Sequence, residues 1–121
     1  MKDAKENPLA HKSYSFALKI VLVCKGLMNE KKEFILSKQL LRSGTSIGAN
    51  IAEANGAIST ADFSAKISIA YKESLETKYW LSLMKDAEYI TQENFEILHP
   101  LADELSRILF SILKSTRFKK S

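Results

Sequence analysis

The chain has 121 residues, 45% of them apolar and 26% charged, with four glycines and two prolines. That balance excludes a disordered chain, which lacks the apolar surface to offset the entropy of ordering, and the length suits one domain with its own core. The net charge of +4 permits polyanionic partners without demanding them, and a single cysteine excludes an internal disulfide.

The opening residues, Met1 to Pro8, are too polar for a signal peptide, and no apolar run approaches a membrane span. A cytoplasmic protein with no membrane partner is expected. Asn7-Pro8 then opens a first helix over about 8–28, because Asn can cap and proline suits the first helical position, where its missing N–H would have no partner. Leu9, Phe16, Ile20, Cys24 and Leu27 recur along it at helical spacing, and Cys24, inside an apolar run, reads as a buried structural thiol. The break at Asn29 to Lys32 precedes a second helix over about 33–55, striped by Leu40, Gly44, Ile47, Ile51 and Ala54. Gly56 is placed to stop it in a left-handed cap.

Ser59 to Asp62 reads as a capping box for a third helix over about 60–87, with Phe63, Ile67, Ala70, Leu81 and Met84 on one face. Thr91 caps a fourth helix over about 92–116, and Ile90 and Phe95 occupy the two positions of a hydrophobic staple. Its stripe is Phe95, Leu98, Leu105, Ile108, Leu109 and Ile112, and Pro100 inside it should kink it by freeing the Glu96 carbonyl. No stretch alternates with period two for long enough to form a strand. Short connections make successive helices antiparallel neighbours, so the expected fold is all-α, an up-down-up-down four-helix bundle in a single domain over 1–121.

Two helices carry more apolar residues than one core can use. The first adds Tyr14, Leu18, Val21, Leu22 and Met28, and the fourth adds Leu101, Phe110 and Leu113. Such helices usually have a second surface to cover, so self-association is expected; the alternative is a tightly wrapped bundle that buries them within one subunit.

Polar residues form a line on the second helix, at Arg42, Ser46, Asn50 and Glu53, and the third carries Lys66, Glu73 and Glu76. Folding the two helices back about Gly56 to Ser59 sets Arg42 opposite Glu73 or Glu76 and brings Glu53 to Lys66. A guanidinium can be held in a fork by two carboxylates, and Ser43, Gly44, Thr45, Gly48 and Ala49 let the backbones come close there. The expected result is a partly buried ion-pair lattice that fixes register. The competing reading, a carboxylate metal site, needs Glu-x-x-His on two helices, and only Glu96 to His99 supplies one. Gly-rich phosphate loops, CxxC, HExxH and a serine-nucleophile elbow are all missing, so no enzyme, cofactor or metal is expected.

The stretch from Gln39 to Ala54 (QLLRSGTSIGANIAEA) resembles the signature of a bacterial four-helix-bundle family, the 23S rRNA intervening-sequence proteins. Lys66 to Leu81 (KISIAYKESLETKYWL) is similar to that family's third helix. The resemblance spans essentially the whole chain and implies the bundle. Its motif residues here are Arg42, Ser46, Asn50, Glu53, Glu73 and Glu76, in structural roles. Through related accessory proteins of diversity-generating retroelements it further implies a pentameric barrel that associates with nucleic acid and a reverse transcriptase.

Antiparallel order would place both termini and the turn between the second and third helices at one end. Lys2, Lys5, Lys12, Lys114, Arg117, Lys119 and Lys120 collect there, opposed nearby by Asp3 and Glu6. Repeated around an oligomer, such a pole would bind RNA or DNA backbones without reading sequence. A protein–protein scaffold is the reading from a different class, and a solvated, frayed terminus is the plainest account of the charge.

Overall fold

The computed structural model describes residues 7–118, which form four helices: α1 (Pro8–Glu30), α2 (Ile35–Asn55), α3 (Thr60–Asp86) and α4 (Gln92–Phe118). No strand occurs among the described residues. α1 packs on α2, α2 on α3 and α3 on α4, a sparser seam joins α4 to α1, and diagonal helices are not in backbone contact. Contacts run in opposite directions along each neighbouring pair. Cys24 meets Ser37 while Ser13 lies against Gly48, and Arg42 meets Glu73 while Glu53 meets Lys66. Lys78 meets Asp103 while Tyr71 meets Phe110, and Lys12 meets Glu104 while Lys31 reaches Tyr89. The bundle is therefore antiparallel at every seam, with all four helices alternating in direction.

The helix starts follow the sequence closely. Asn7 Oδ1 accepts from the Ala10 N–H at 3.1 Å, with Pro8 in the first turn, and Thr91 Oγ1 accepts from the Asn94 N–H at 3.1 Å. Ser59 Oγ accepts from the Asp62 N–H at 3.0 Å, but Asp62 reaches back to the Ile58 N–H at 3.2 Å, one residue before the cap. α2 begins at Ile35, later than expected, because Glu33 acts as its cap. Its carboxylate accepts from the N–H groups of Ile35, Leu36 and Ser37 at 3.1, 3.1 and 2.7 Å and from the Ser37 hydroxyl at 2.9 Å. Burial opposes the charge, but the bonds from Ser37, Leu36 and Ile35 together hold the Glu33 carboxyl below its ordinary value.

The helix ends depart from expectation. Gly56 has φ −102° and is not left-handed. The left-handed residues are Lys32, φ 55°, and Glu88, φ 65°. Each turns the chain so that the following N–H returns to the last turn of its helix: Glu33 to the Leu27 carbonyl at 3.3 Å, and Tyr89 to the Met84 carbonyl at 2.8 Å. These are Schellman-type closures made without glycine. The Lys31 ammonium then donates to the Glu88 and Tyr89 carbonyls at 3.4 and 3.2 Å, tying the two turns together. α4 runs unbroken through Pro100, which lies on its exposed side, where water can take the carbonyl that proline leaves unpaired.

The core is the union of the four apolar stripes, with Phe16, Ile20, Leu40, Ile47, Ile67, Leu81, Met84, Leu105 and Leu109 sealed from solvent. Each such side chain contributes roughly 1.5–3 kcal/mol on burial. Leu113 belongs to this core rather than to a second surface, and Leu101 packs against it. A layer of small hydroxyls crosses the middle: Thr77 Oγ1 lies 3.0 Å from Ser43 Oγ, and Ser74 Oγ lies 2.7 Å from Ser106 Oγ. Cys24 is buried as expected and donates to the Ser37 carbonyl at 3.4 Å; burial first, then the Glu33 charge, pushes its thiol up to about 12.

Two outcomes test this packing. A Cβ added at Gly44 would sit 2.9 Å from Ile20 Cγ2, a stiff, fully buried side chain, whereas one added at Gly26 would meet nothing within 4 Å. Gly44→Ala should destabilise by about 1 kcal/mol in urea melts, overpacking outweighing the helix-propensity gain, and Gly26→Ala should stabilise by about 0.5–1 kcal/mol. The second concerns pH. A carboxyl depressed in the folded state contributes stability fully above its ordinary value of 4.5 and loses it as pH falls through the lower folded value. Thermal melts from pH 7 to pH 3 should therefore fall less steeply below about pH 4.5 for Glu33→Gln than for the wild type. The variant should be less stable at neutral pH by about 1 kcal/mol through the weakened cap.

Candidate functional site

The α2–α3 seam brings together every member of the expected ion lattice. Arg42 Nη1 donates to both oxygens of Glu73 at 3.2 and 3.3 Å, and Nη2 donates to Glu76 and, at 3.3 Å, to Gln39 Oε1. The Trp80 indole N–H donates to Glu76 at 2.9 Å, and the Lys66 ammonium lies 2.8 Å from Glu53. The bond to Glu53 and its charge, joined by Asp62, raise the Lys66 ammonium above its usual range. Ser46 and Asn50, which the polar line also contains, bond the carbonyls of Arg42 and Ser46 on their own helix.

The lattice is shallower than the sequence suggested. The Arg42 side chain is 47% exposed, so this is a surface network at the seam's rim and not a desolvated ion cluster. Beneath it the small, buried Ser43 and Thr77 touch and let the two helices approach closely, with the long charged side chains at the rim. Ser74, Thr77 and Ser106, all buried, were not singled out by the sequence; the signal for Ser74 and Thr77 is the gap in the α3 stripe between Ala70 and Leu81. A second polar seam, also unexpected, joins α3 to α4. Asp103 accepts from Lys78 at 3.1 Å and from Arg107 at 3.2 Å, and the Lys78 bond first among these partners holds its carboxyl below the usual range.

The basic pole is placed only in part. Lys2, Lys5, Lys119 and Lys120 lie outside the described residues, and Arg117 is located by its backbone in the last turn of α4. Lys114 is exposed at that end, while Lys12 lies 3.3 Å from Glu104, which takes up part of its charge. The antiparallel order puts the start of α1, the end of α4 and the α2–α3 turn together. A cavity of about 670 Å³ at this end is lined by Ala54, Ala57, Ile58, Phe63 and Thr116 among others, with no charged group among its lining residues.

The apolar surplus of α1 is largely outside the core. Tyr14 is 71% exposed, Leu22 59% and Leu18 51%, with Val21 beside them. Between α1 and α2 runs a groove of about 370 Å³ floored by Ala17, Gly48, Ala49 and Ala52 and edged by Tyr14. Among the described residues no three His, Cys, Asp or Glu are placed to hold a metal; His99 instead stacks on Phe95 with ring centroids 4.9 Å apart. No helix among them is long and apolar enough to cross a membrane.

The exposure of Arg42 sets the expected size of its contribution. Arg42→Met should cost about 1 kcal/mol in chemical denaturation, the scale of surface pairs, where a sealed lattice would lose about 3–5 kcal/mol. A loss on that larger scale would mean the seam closes over the guanidinium in solution.

Comparison with known proteins bears on the same residues. The model of a family described as 23S rRNA-intervening sequence protein matches residues 5–111, which include both the Arg42 stretch and its α3 partners. A crystal structure at 1.70 Å of a protein of unknown function from the S23 ribosomal protein family of Bacteroides thetaiotaomicron is 53% identical, with a TM-score of 0.85 over 88% of this chain and 98% of that one. No curated protein matches. With the bundle, the Arg42 lattice and a family match along most of its length, the chain belongs to the 23S rRNA-intervening sequence protein family.

Proposed function

We propose that this protein is a non-enzymatic homo-oligomer, a pentamer in keeping with the resemblance read from its sequence, whose basic pole binds nucleic acid without sequence preference. The observation that supports the reading is the antiparallel order of the helices, which brings the start of α1 and the end of α4, with Lys12 and Lys114, to one end of the bundle. After Glu104 the sequence has no acid, while Arg107, Lys114, Arg117, Lys119 and Lys120 follow. Charge without a base-reading element tracks phosphates, and a ring of subunits with parallel axes multiplies the charge. Oligomerisation is supported by the exposed apolar side of α1.

A second reading is a protein–protein scaffold, for example for a reverse transcriptase, with no direct nucleic-acid role. It is favoured by Ile69, Leu75, Tyr79 and Leu83, which leave apolar surface open on α3, away from α1. Fluorescence anisotropy of a labelled single strand separates the two. Full-length protein should bind RNA and DNA alike and release them steeply as salt rises. A chain lacking 116–121 should bind more weakly, with a salt dependence reduced by about one unit of log–log slope for each phosphate that the shortened chain no longer neutralises. Equal affinity after truncation, or no binding at low salt, would leave the scaffold reading standing.

A further inference from the structure

Charge is sorted by helix. From Pro8 to Asn29, α1 carries Lys12, Lys19 and Lys25 and no acid. From Gln92 to Ser106, α4 carries Glu93, Glu96, Asp103 and Glu104 and neither lysine nor arginine. Within one subunit this opposition is used sparingly. Lys12 pairs with Glu104, and Asp103 is taken by Lys78 and Arg107. Lys19 and Lys25 on one side, and Glu93 and Glu96 on the other, are exposed and form no ion pair among the described residues.

The apolar pattern has the same partition. Lys19 and Lys25 bracket Val21 and Leu22 on α1, with Leu18 next to Lys19, and Glu93 and Glu96 precede Ile97, itself half exposed, on α4. A surface of this kind suits a partner that is both apolar and acidic. A phosphate backbone offers charge without apolar cover, and Leu18 and Leu22 would remain wet against it. The first half of α4 sets the exposed Glu93 and Glu96 beside the half-exposed Ile97, and every copy of the chain carries it.

We propose that the outward side of α1 in one subunit docks antiparallel on the first half of α4 in the next, Lys19 opposite Glu96 and Lys25 opposite Glu93. The proposal rests on the homo-oligomer reading and specifies its interface. The two lysines are about 9 Å apart along their helix and the two glutamates about 4.5 Å, a difference that flexible lysine stems span. Such an interface joins two different surfaces, so it is heterologous and builds a ring when the rotation closes. Pairing α1 with α1 across a two-fold would instead set lysines against lysines.

Charge reversal in mixed chains tests this. One chain carries Lys19→Glu and Lys25→Glu, another carries Glu93→Lys and Glu96→Lys, and circular dichroism confirms that each remains helical. By light scattering the wild type should exceed the 13.6 kDa of one chain severalfold. Each variant alone should fall toward that mass at moderate salt, and an equimolar mixture should regain mass only in part, because alternating chains leave one like-signed interface in a five-membered ring. A chain with all four substitutions should assemble by itself. A monomeric wild type would defeat the oligomer reading itself. An oligomeric wild type whose variants also assemble, or a fourfold variant that stays dissociated, would overturn this interface alone. So would an α1 variant that keeps its mass but no longer binds a labelled strand in anisotropy, since the face would then serve nucleic acid.

Discussion

The close approach of the helices at mid-bundle governs the rest of the structure. Gly44 places the α2 backbone against Ile20, and Gly48 does the same at the Ser13 carbonyl, where an added Cβ would sit 3.3 Å away. On the other side of α2, Ser43 meets Thr77, and one helix further Ser74 meets Ser106. Small groups therefore line three successive seams, and the helices settle at a spacing that larger side chains would forbid. Hydroxyls buried at such seams need partners, and these find them in each other and in carbonyls one turn back. No buried side-chain nitrogen or oxygen is left unpaired among the described residues.

Fixed spacing and register then decide what the surface can hold. With α2 and α3 drawn together, the longer side chains above Ser43 and Thr77 are pushed to the rim, where Arg42 can fork onto Glu73 and still reach Glu76. The lattice is a consequence of the packing and adds orientation more than energy. The Trp80 N–H on Glu76 extends it along α3, so that an indole half in the core and a guanidinium half in water share one carboxylate.

The fold was legible in the sequence to the extent that its signals were local or strictly periodic. The apolar stripes, the caps at Asn7, Ser59 and Thr91, and the pairings of Arg42 and Glu53 all follow from spacing alone. The buried hydroxyls did not stand out, because Ser74, Thr77 and Ser106 read as polar surface until their neighbours are known. Nor did the left-handed residues: glycine is the usual signal, but Lys32 and Glu88 adopt that conformation because the returning bonds to Leu27 and Met84 hold them there. Glu33 was assigned to the helix that it caps, since a glutamate before an apolar run looks like first-turn charge and not like an acceptor for three N–H groups. The basic pole is legible as charge but only partly as structure, with its outermost lysines beyond residues 7–118.

The α1–α4 seam shows how such a bundle can be closed without using up its apolar surface. It is the sparsest of the four, and polar contacts hold it toward both ends: Lys12 with Glu104 near one, and Lys31 on the Glu88 and Tyr89 carbonyls at the other. With polar contacts at its ends, this seam leaves Leu22 and Leu18 facing out. Because those side chains add little to the core, exchanging them for polar residues would cost the subunit little stability, whereas a core position such as Ile20 would not tolerate it. Apolar residues that the subunit does not need, on a helix whose other face it does need, are separated from folding by the geometry of the seam. That separation lets one surface be shaped for a partner while the hydroxyl layer and the ion lattice go on fixing the bundle.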